Sequence, residues 1–293
     1  FAFRLGTLTI VAIHLMIELK DYGVAVGSGG PDCGNPIVRS LGNVAGPILR
    51  RLLVIGFVIF PNLMGLGVHA SDPARESAVN LDADPHLVGW WKFDETTGST
   101  AADSAKPAHP ATLEGGVTFD SRSMKGRLGK AIQLEGNNDG IRVKGFKGVT
   151  GSGPRTVAVW VKTKETSGDL ITWGTNEAGK MFVFGHIRGR IGVTPKGGYL
   201  YMNADINDDK WHHVAIVIQE GSPPNLHDHA QLFLDGKPIE PDGIGLLDML
   251  PFETGDQQDV NIGPHFKGAL DDLRIYDRAL TPDEVQTLAA LAQ

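Results

Sequence analysis

From Val88 to Asp277 the dominant period of the sequence is two, and this alternation restricts the chain more than any other feature. Eleven short segments read as strands: VGWWKFD, AIQLEG, IRVKGF, TVAVWVKT, DLITWG, MFVFGHI, GYLYMNA, WHHVAIVIQ, AQLFLDG, DVNIG and LDDLRIYD. AIQLEG sets Ile132 and Leu134 against Gln133 and Glu135, and IRVKGF sets Ile141 and Val143 against Arg142 and Lys144. That is a half-buried pair, joined by the short loop Gly136-Asn137-Asn138-Asp139. TVAVWVKT and WHHVAIVIQ are apolar on both faces, which places them mid-sheet under cover on either side. Glycine and proline are abundant, 38 and 17, with no fixed period, as tight turns between many short strands require. Only one helix is expected, at the end. Thr281-Pro282-Asp283-Glu284 is a capping box with proline at the first helical position. The fold class is therefore all-β, a two-sheet antiparallel sandwich with a short C-terminal helix.

A formal net charge of -7 argues against a general nucleic-acid binder, which needs a basic face to neutralise phosphates. The single cysteine, Cys33, lies upstream of the strands, so the sandwich holds no disulfide, no thiolate-bound zinc and no cysteine nucleophile. Residues 1–49 read as an upstream segment outside the domain. Arg50-Arg51, the run LLVIGFVIFPNLMGLGV, and small residues Val68 and Ala70 at the -3 and -1 positions form a secretory signal peptide over 50–70. The run from Leu52 to Val68 is 17 residues, the short limit for a membrane anchor, and Pro61 and its glycines disfavour that alternative. A polar leader then covers 71–86 and the sandwich covers 87–293. The expected location is outside the cytoplasm: secreted, periplasmic or on the cell surface, with membrane attachment only if the N-terminal segment stays uncleaved.

Six segments in order carry a family likeness: VGWWKFDE at 88–95, RLGKAIQLEGNNDGIRV at 127–143, TVAVWVKT at 156–163, WHHVAIV at 211–217, LFLDGKPI at 232–239 and IGPHFKGALDDLRIYDRALTPDEV at 262–285. Together they resemble the laminin-G-like members of the concanavalin A-like lectin/glucanase superfamily. The resemblance implies a jelly roll with its loops gathered at the rim. Some members hydrolyse β-glucans with two carboxylates spaced along one strand, a retaining pair being about 5 Å apart. No such run occurs here. Asp94-Glu95 and Asp271-Asp272 are adjacent, and neighbours on a strand point to opposite faces. Catalytic residues are therefore expected to be none.

The resemblance also implies a calcium ion, which takes six to eight oxygens. The matching positions are Asp94 after the first strand, the Gly136 carbonyl, and Asp271. For carbohydrate, a flat aromatic platform flanked by amides is needed. Trp173, with Tyr201 and Asn203 from GYLYMNA, forms one if their strands are neighbours. His227 and His229, two apart, and His212-His213 give at most two converging metal ligands and read as loop and strand residues. The leading expectation is a non-catalytic recognition module for carbohydrate or an extracellular protein, with Ca²⁺ stiffening it. A divergent glycoside hydrolase and a structural or adhesive cell-surface unit are the alternatives.

Overall fold

The computed structural model describes residues 80–136, 139–245 and 249–291. The upstream segment, the proposed signal peptide over 50–70 and Cys33 lie outside these residues, as does most of the leader. Among the described residues the chain forms two antiparallel sheets, packed face to face as a jelly-roll sandwich. The first, eight-stranded, contains β1 (Leu87–Trp91), β4 (Ser123–Lys125), β5 (Lys130–Glu135), β7 (Arg155–Lys162), β12 (His212–Ile218), β13 (Ala230–Leu234), β14 (Lys237–Ile239) and β17 (Lys267–Tyr276). Its order is β14-β13-β12-β7-β17-β5-β4, and β1 also pairs with β17.

The second sheet has nine strands. These are β2 (Thr100–Ala101), β3 (Ala111–Glu114), β6 (Gly140–Val143), β8 (Asp169–Gly174), β9 (Met181–Ile187), β10 (Arg190–Thr194), β11 (Leu200–Met202), β15 (Pro241–Ile244) and β16 (Gln258–Ile262). Their order is β15-β11-β10-β9-β8-β16-β6-β3-β2.

Alternation decides which residues form the core. Val157, Val159 and Val161 of β7 and Val214, Ile216 and Ile218 of β12 face the sandwich interior, together with Ile171, Trp173, Phe182 and Phe184 of the opposite sheet. The in-between residues Ala158, Ala215 and Val217 face outward, yet they too are buried. What covers them is the C-terminal helix, α3 (Pro282–Ala289), with Val285 and Leu288, and the leading 3-10 turn at Leu81–Ala83 with Leu81. Burying a Val or Leu side chain contributes about 1.5–3 kcal/mol. The capping box is formed as expected: Glu284 N donates to Thr281 Oγ1 at 3.3 Å and Thr281 N to Glu284 Oε2 at 2.8 Å. Two single-turn helices, α1 (Phe119–Arg122) and α2 (Leu226–His229), carry no periodic signal.

The leader is not simply a polar approach to the first strand. Arg274 Nη1 donates to Asp82 Oδ1 at 2.6 Å, Arg278 Nε to Asp84 Oδ2 at 2.9 Å, and Tyr276 O–H to the Leu81 carbonyl at 3.3 Å. Residues 81–86 therefore pack as part of the sandwich, which begins before Leu87.

Candidate functional site

β17 carries one residue more than its partner β7 between Asp271, opposite Trp160, and Arg274, opposite Ala158. Asp272 takes a φ of +48° in this bulge. Simple alternation would send Asp271 and Asp272 to opposite faces. The inserted residue instead turns both toward one cleft of about 300 Å³, lined also by Trp90, Lys92, Asp94, Gly129 and Arg274. Asp272 is neutralised there: its Oδ1 accepts from Trp90 Nε1 at 2.5 Å and its Oδ2 from Arg274 Nε at 3.0 Å.

Asp271 has no cationic partner of that kind. Its Oδ2 accepts from Leu128 N at 2.7 Å, while its Oδ1 is buried with no hydrogen-bond partner among the described residues. Burial pushes its carboxyl up to about 7, and the nearby charges of Asp272 and Asp94 add to the shift against the Leu128 and Arg127 N–H groups. Asp94 Oδ1 accepts from Lys130 N at 2.7 Å. The two aspartates meet across the turn before β5, which needs glycine twice. A Cβ on Gly129, at φ +73°, would lie 2.1 Å from Asp94 Oδ1. One on Gly126 would lie 2.4 Å from the Lys130 carbonyl and 2.5 Å from Asp271 Oδ2.

This donor set fits a hard cation in kind: the carboxylates of Asp94 and Asp271 and the main-chain carbonyl of Lys130. No three His, Cys, Asp or Glu side chains converge among the described residues, so carbonyls and water would have to complete the shell. Gly136 does not belong to it. It follows the far end of β5, about 20 Å along the strand from Lys130, against Lys267 and the His265 carbonyl.

The aromatic platform is only partly assembled. Trp173 is completely buried, its ring stacked on Phe182 at 4.1 Å and its Nε1 donating to the Val149 carbonyl at 3.0 Å. It follows Ile171 on the inward face of β8, in the middle of the nine-stranded sheet, so it is core and not platform. Tyr201 lies between the buried Leu200 and Met202 and so faces outward. Its ring stacks against Tyr199 with centroids 5.9 Å apart at 20°, and Arg188 lies 5.0 Å over Tyr199. Asn203 is nearby in the same outward group, its Oδ1 accepting from Arg190 Nη1 at 3.3 Å. Arg190 also pairs with Asp205 at 3.4 Å and with Asp242. β11 can approach β10 this closely because residue 192 is glycine; a Cβ there would meet the Leu200 carbonyl at 2.2 Å. Sequence reasoning missed both arginines: Arg188 lies in the tight turn between β9 and β10, at a φ of +53°, and Arg190 opens β10.

The histidines do not gather. His212 bridges Asp235 (3.0 Å) and Asp208 (3.2 Å) at the surface, whereas His213 points under the covered face of its sheet.

The family profile described as the concanavalin A-like lectin/glucanases superfamily, laminin-G type, matches residues 135–286. Among solved structures, domain 4 of the extracellular arabinanase AbnA from Geobacillus stearothermophilus, in complex with arabinotriose, is similar in fold. It is 22% identical over 69% of this chain and 98% of that domain, with a TM-score of 0.51. The binding domain of Paraclostridial Mosquitocidal Protein 1 (16% identity, 68% of this chain and 52% of that one, TM-score 0.46) and Trypanosoma rangeli sialidase (16%, 70% and 32%, TM-score 0.44) are more distant. The chain thus spans about half of the toxin domain and a third of the sialidase. No curated protein matches it. With two jelly-roll sheets in place and the profile covering half of its length, the chain belongs to the concanavalin A-like lectin/glucanase superfamily.

Proposed function

We propose that the sandwich is a non-catalytic carbohydrate-recognition module that binds through the outer face of its nine-stranded sheet. The observation that carries this is the stacked Tyr199–Tyr201 pair beside Arg190, Asn203 and Asp242. A sugar needs an apolar ring to stack on and fixed donors and acceptors for its hydroxyls, and this corner offers both. The other sheet offers its outer face less freely, since α3 and the leading turn cover it. The fold likeness to an arabinanase domain described with arabinotriose supports carbohydrate as the ligand class. A glycan array and titration calorimetry on the protein test the proposal. Binding that is weakened in Tyr201→Ala supports it; no glycan bound, with retention on a protein ligand, favours a protein partner. Release of reducing ends from a glucan would favour the divergent hydrolase.

Two further parts belong to the same proposal. Export follows from the Arg50–Ala70 segment, and N-terminal sequencing of protein recovered outside the cell tests it. A structural calcium ion is supported by the Asp94–Asp271 corner, where the two carboxylates and the Lys130 carbonyl line the turn before β5. There Asp94, Asp271 and the Lys130 carbonyl would hold the ion, and the charge it supplied would offset the repulsion that Asp94 and Asp272 exert on the buried Asp271 carboxylate.

A further inference from the structure

β12, β7 and β17 place three polar side chains in one register row on the covered outer face of the eight-stranded sheet. His213 is opposite Trp160, and Trp160 is opposite Asp271. Directly opposed side chains on adjacent strands have Cβ atoms about 5 Å apart. All three are enclosed: Asp271 is 0%, His213 2% and Trp160 5% exposed. Each keeps one buried polar atom with no hydrogen-bond partner among the described residues: His213 Nδ1, Trp160 Nε1 and Asp271 Oδ1. Among the side chains of the described residues only Glu95 Oε2 and Ser123 Oγ share that condition, so three of five such atoms fall in a single row.

A buried polar atom left without a bond costs about 1–3 kcal/mol. Three neighbours in that state call for a common partner. The surroundings limit its chemistry. The indole N–H can only donate, a carboxylate oxygen accepts, and a neutral imidazole nitrogen does either. His213 is neutral because burial pushes it down to about 4. Its ring stands edge-on to Trp160 at 5.3 Å, and the Arg127 guanidinium lies 4.9 Å over the same indole. A cation would meet the indole N–H and Arg127, and an anion would meet Asp271. A small neutral molecule that both donates and accepts suits all three atoms, and buried water typically makes about three such bonds.

We propose that the row is a closed hydration site, in which ordered water bridges Trp160 Nε1, Asp271 Oδ1 and His213 Nδ1. Trp160 thereby acts as a positioning residue, holding the Asp271 carboxylate with Oδ2 toward Leu128 and the Gly126–Lys130 turn. The hydration site stands by itself; the positioning role rests on the calcium proposal.

A high-resolution crystal structure of the protein tests the first part. Water within hydrogen-bond distance of Trp160 Nε1 and of Asp271 Oδ1 or His213 Nδ1 is expected. A dry row, or a direct Trp160–Asp271 hydrogen bond, overturns it. Calcium titration of Trp160→Phe, which keeps an aromatic ring and removes the donor, tests the second. Groups that orient a metal ligand typically contribute 10- to 100-fold in affinity, so Kd should rise by about that factor. The Trp160 Nε1–H resonance of the unaltered protein should be protected from exchange and should shift on calcium addition. Unchanged affinity in Trp160→Phe overturns the positioning role. No calcium binding by the unaltered protein overturns that role together with the calcium proposal, and the crystal structure still decides the hydration site.

Discussion

Arg278 donates from both Nε and Nη2 to a single oxygen of Asp84, 194 residues away, at 2.9 and 2.5 Å. Its Nη groups also reach both oxygens of Glu284 in the first turn of α3, at 2.6 and 2.8 Å. One guanidinium thus joins the leading segment, the end of β17 and the helix. Burial works to raise the Asp84 carboxyl, and the bonds from Arg278 and His86 overcome it and hold it below the usual range. Arg278→Met would leave two partly buried carboxylates unpaired, at about 3 kcal/mol. For a domain of this size that is roughly 6–12 °C in Tm. Calorimetry should also show that a chain starting at Leu87 melts well below one starting at Ser71.

A different arginine is held with no carboxylate among its hydrogen-bond partners. Arg155 is fully buried and donates to the carbonyls of Val149, Gly151 and Gly153 and to Thr254 Oγ1. Burial pushes its guanidinium down to about 10, still charged at neutral pH. The planar fork satisfies several carbonyls at once, which an ammonium cannot reproduce. Arg155→Lys should cost about 3 kcal/mol, whereas Thr254→Val, which loses one hydrogen bond, should cost about 1 kcal/mol. Urea unfolding of the two variants separates them; equal losses would mean that the fork is not what holds this loop.

His213 makes stability depend on pH in a defined direction. Burial lowers it from 6.5 to about 4, so the folded state prefers the neutral ring. Its contribution is complete above pH 6.5 and is lost as pH falls toward 4, roughly 3 kcal/mol in all. Asp169 acts the other way, because burial pushes it up to about 6 and protonation there favours the folded state. The two overlap, so the useful measurement is the difference between the protein and His213→Gln. That difference should be constant above pH 6.5 and should move in favour of the variant as pH falls from 6.5 to 4.

Trp173 and Tyr201 should separate stability from binding. Trp173→Ala removes a fully buried ring that fills the space between Phe182 and Gly148, and should cost about 3–5 kcal/mol. Tyr201→Ala removes a partly buried ring on the outer face. It should leave Tm nearly unchanged and weaken glycan binding about tenfold, equivalent to about 1.4 kcal/mol. Equal glycan affinity in the protein and Tyr201→Ala would move the binding face elsewhere.

Calcium at the Asp94–Asp271 corner should raise Tm, and EDTA should reverse it. At a calcium concentration 100 times Kd the stabilisation is about 2.7 kcal/mol. Asp94→Asn should abolish the difference while the fold persists. A melt indifferent to both calcium and EDTA would remove the ion from the proposal.

The main strands were legible because their alternation survives into burial: Val157, Val159 and Val161 face the interior, with Ala158 between them on the other side. The short strands β2, β4 and β14, of two or three residues, hold too few positions to show a period. Trp173 was misplaced because β8 is buried along nearly its whole length, so alternation says which face a residue takes and not whether that face is open. The shared orientation of Asp271 and Asp272 comes from one inserted residue and a positive φ, which leave no mark on composition. Asp94 and Asp271, named from the family likeness, line one cleft, whereas Gly136 lies at the far end of β5, away from the Gly126–Gly129 turn. The leader looked merely polar because its aspartates find their arginines only after folding.

Leu81 and Leu288 share one apolar cluster, so the chain reaches and leaves the sandwich on the same side of the eight-stranded sheet. A load applied between those two points would be carried first by Arg278 and Arg274 against Asp84 and Asp82, in shear across a few ion pairs. The nine-stranded sheet lies off that line of force. A module pulled through its two ends could therefore lose α3 and the leading turn while Tyr201 and its neighbours keep their places, so that grip on a ligand outlasts the first mechanical yield.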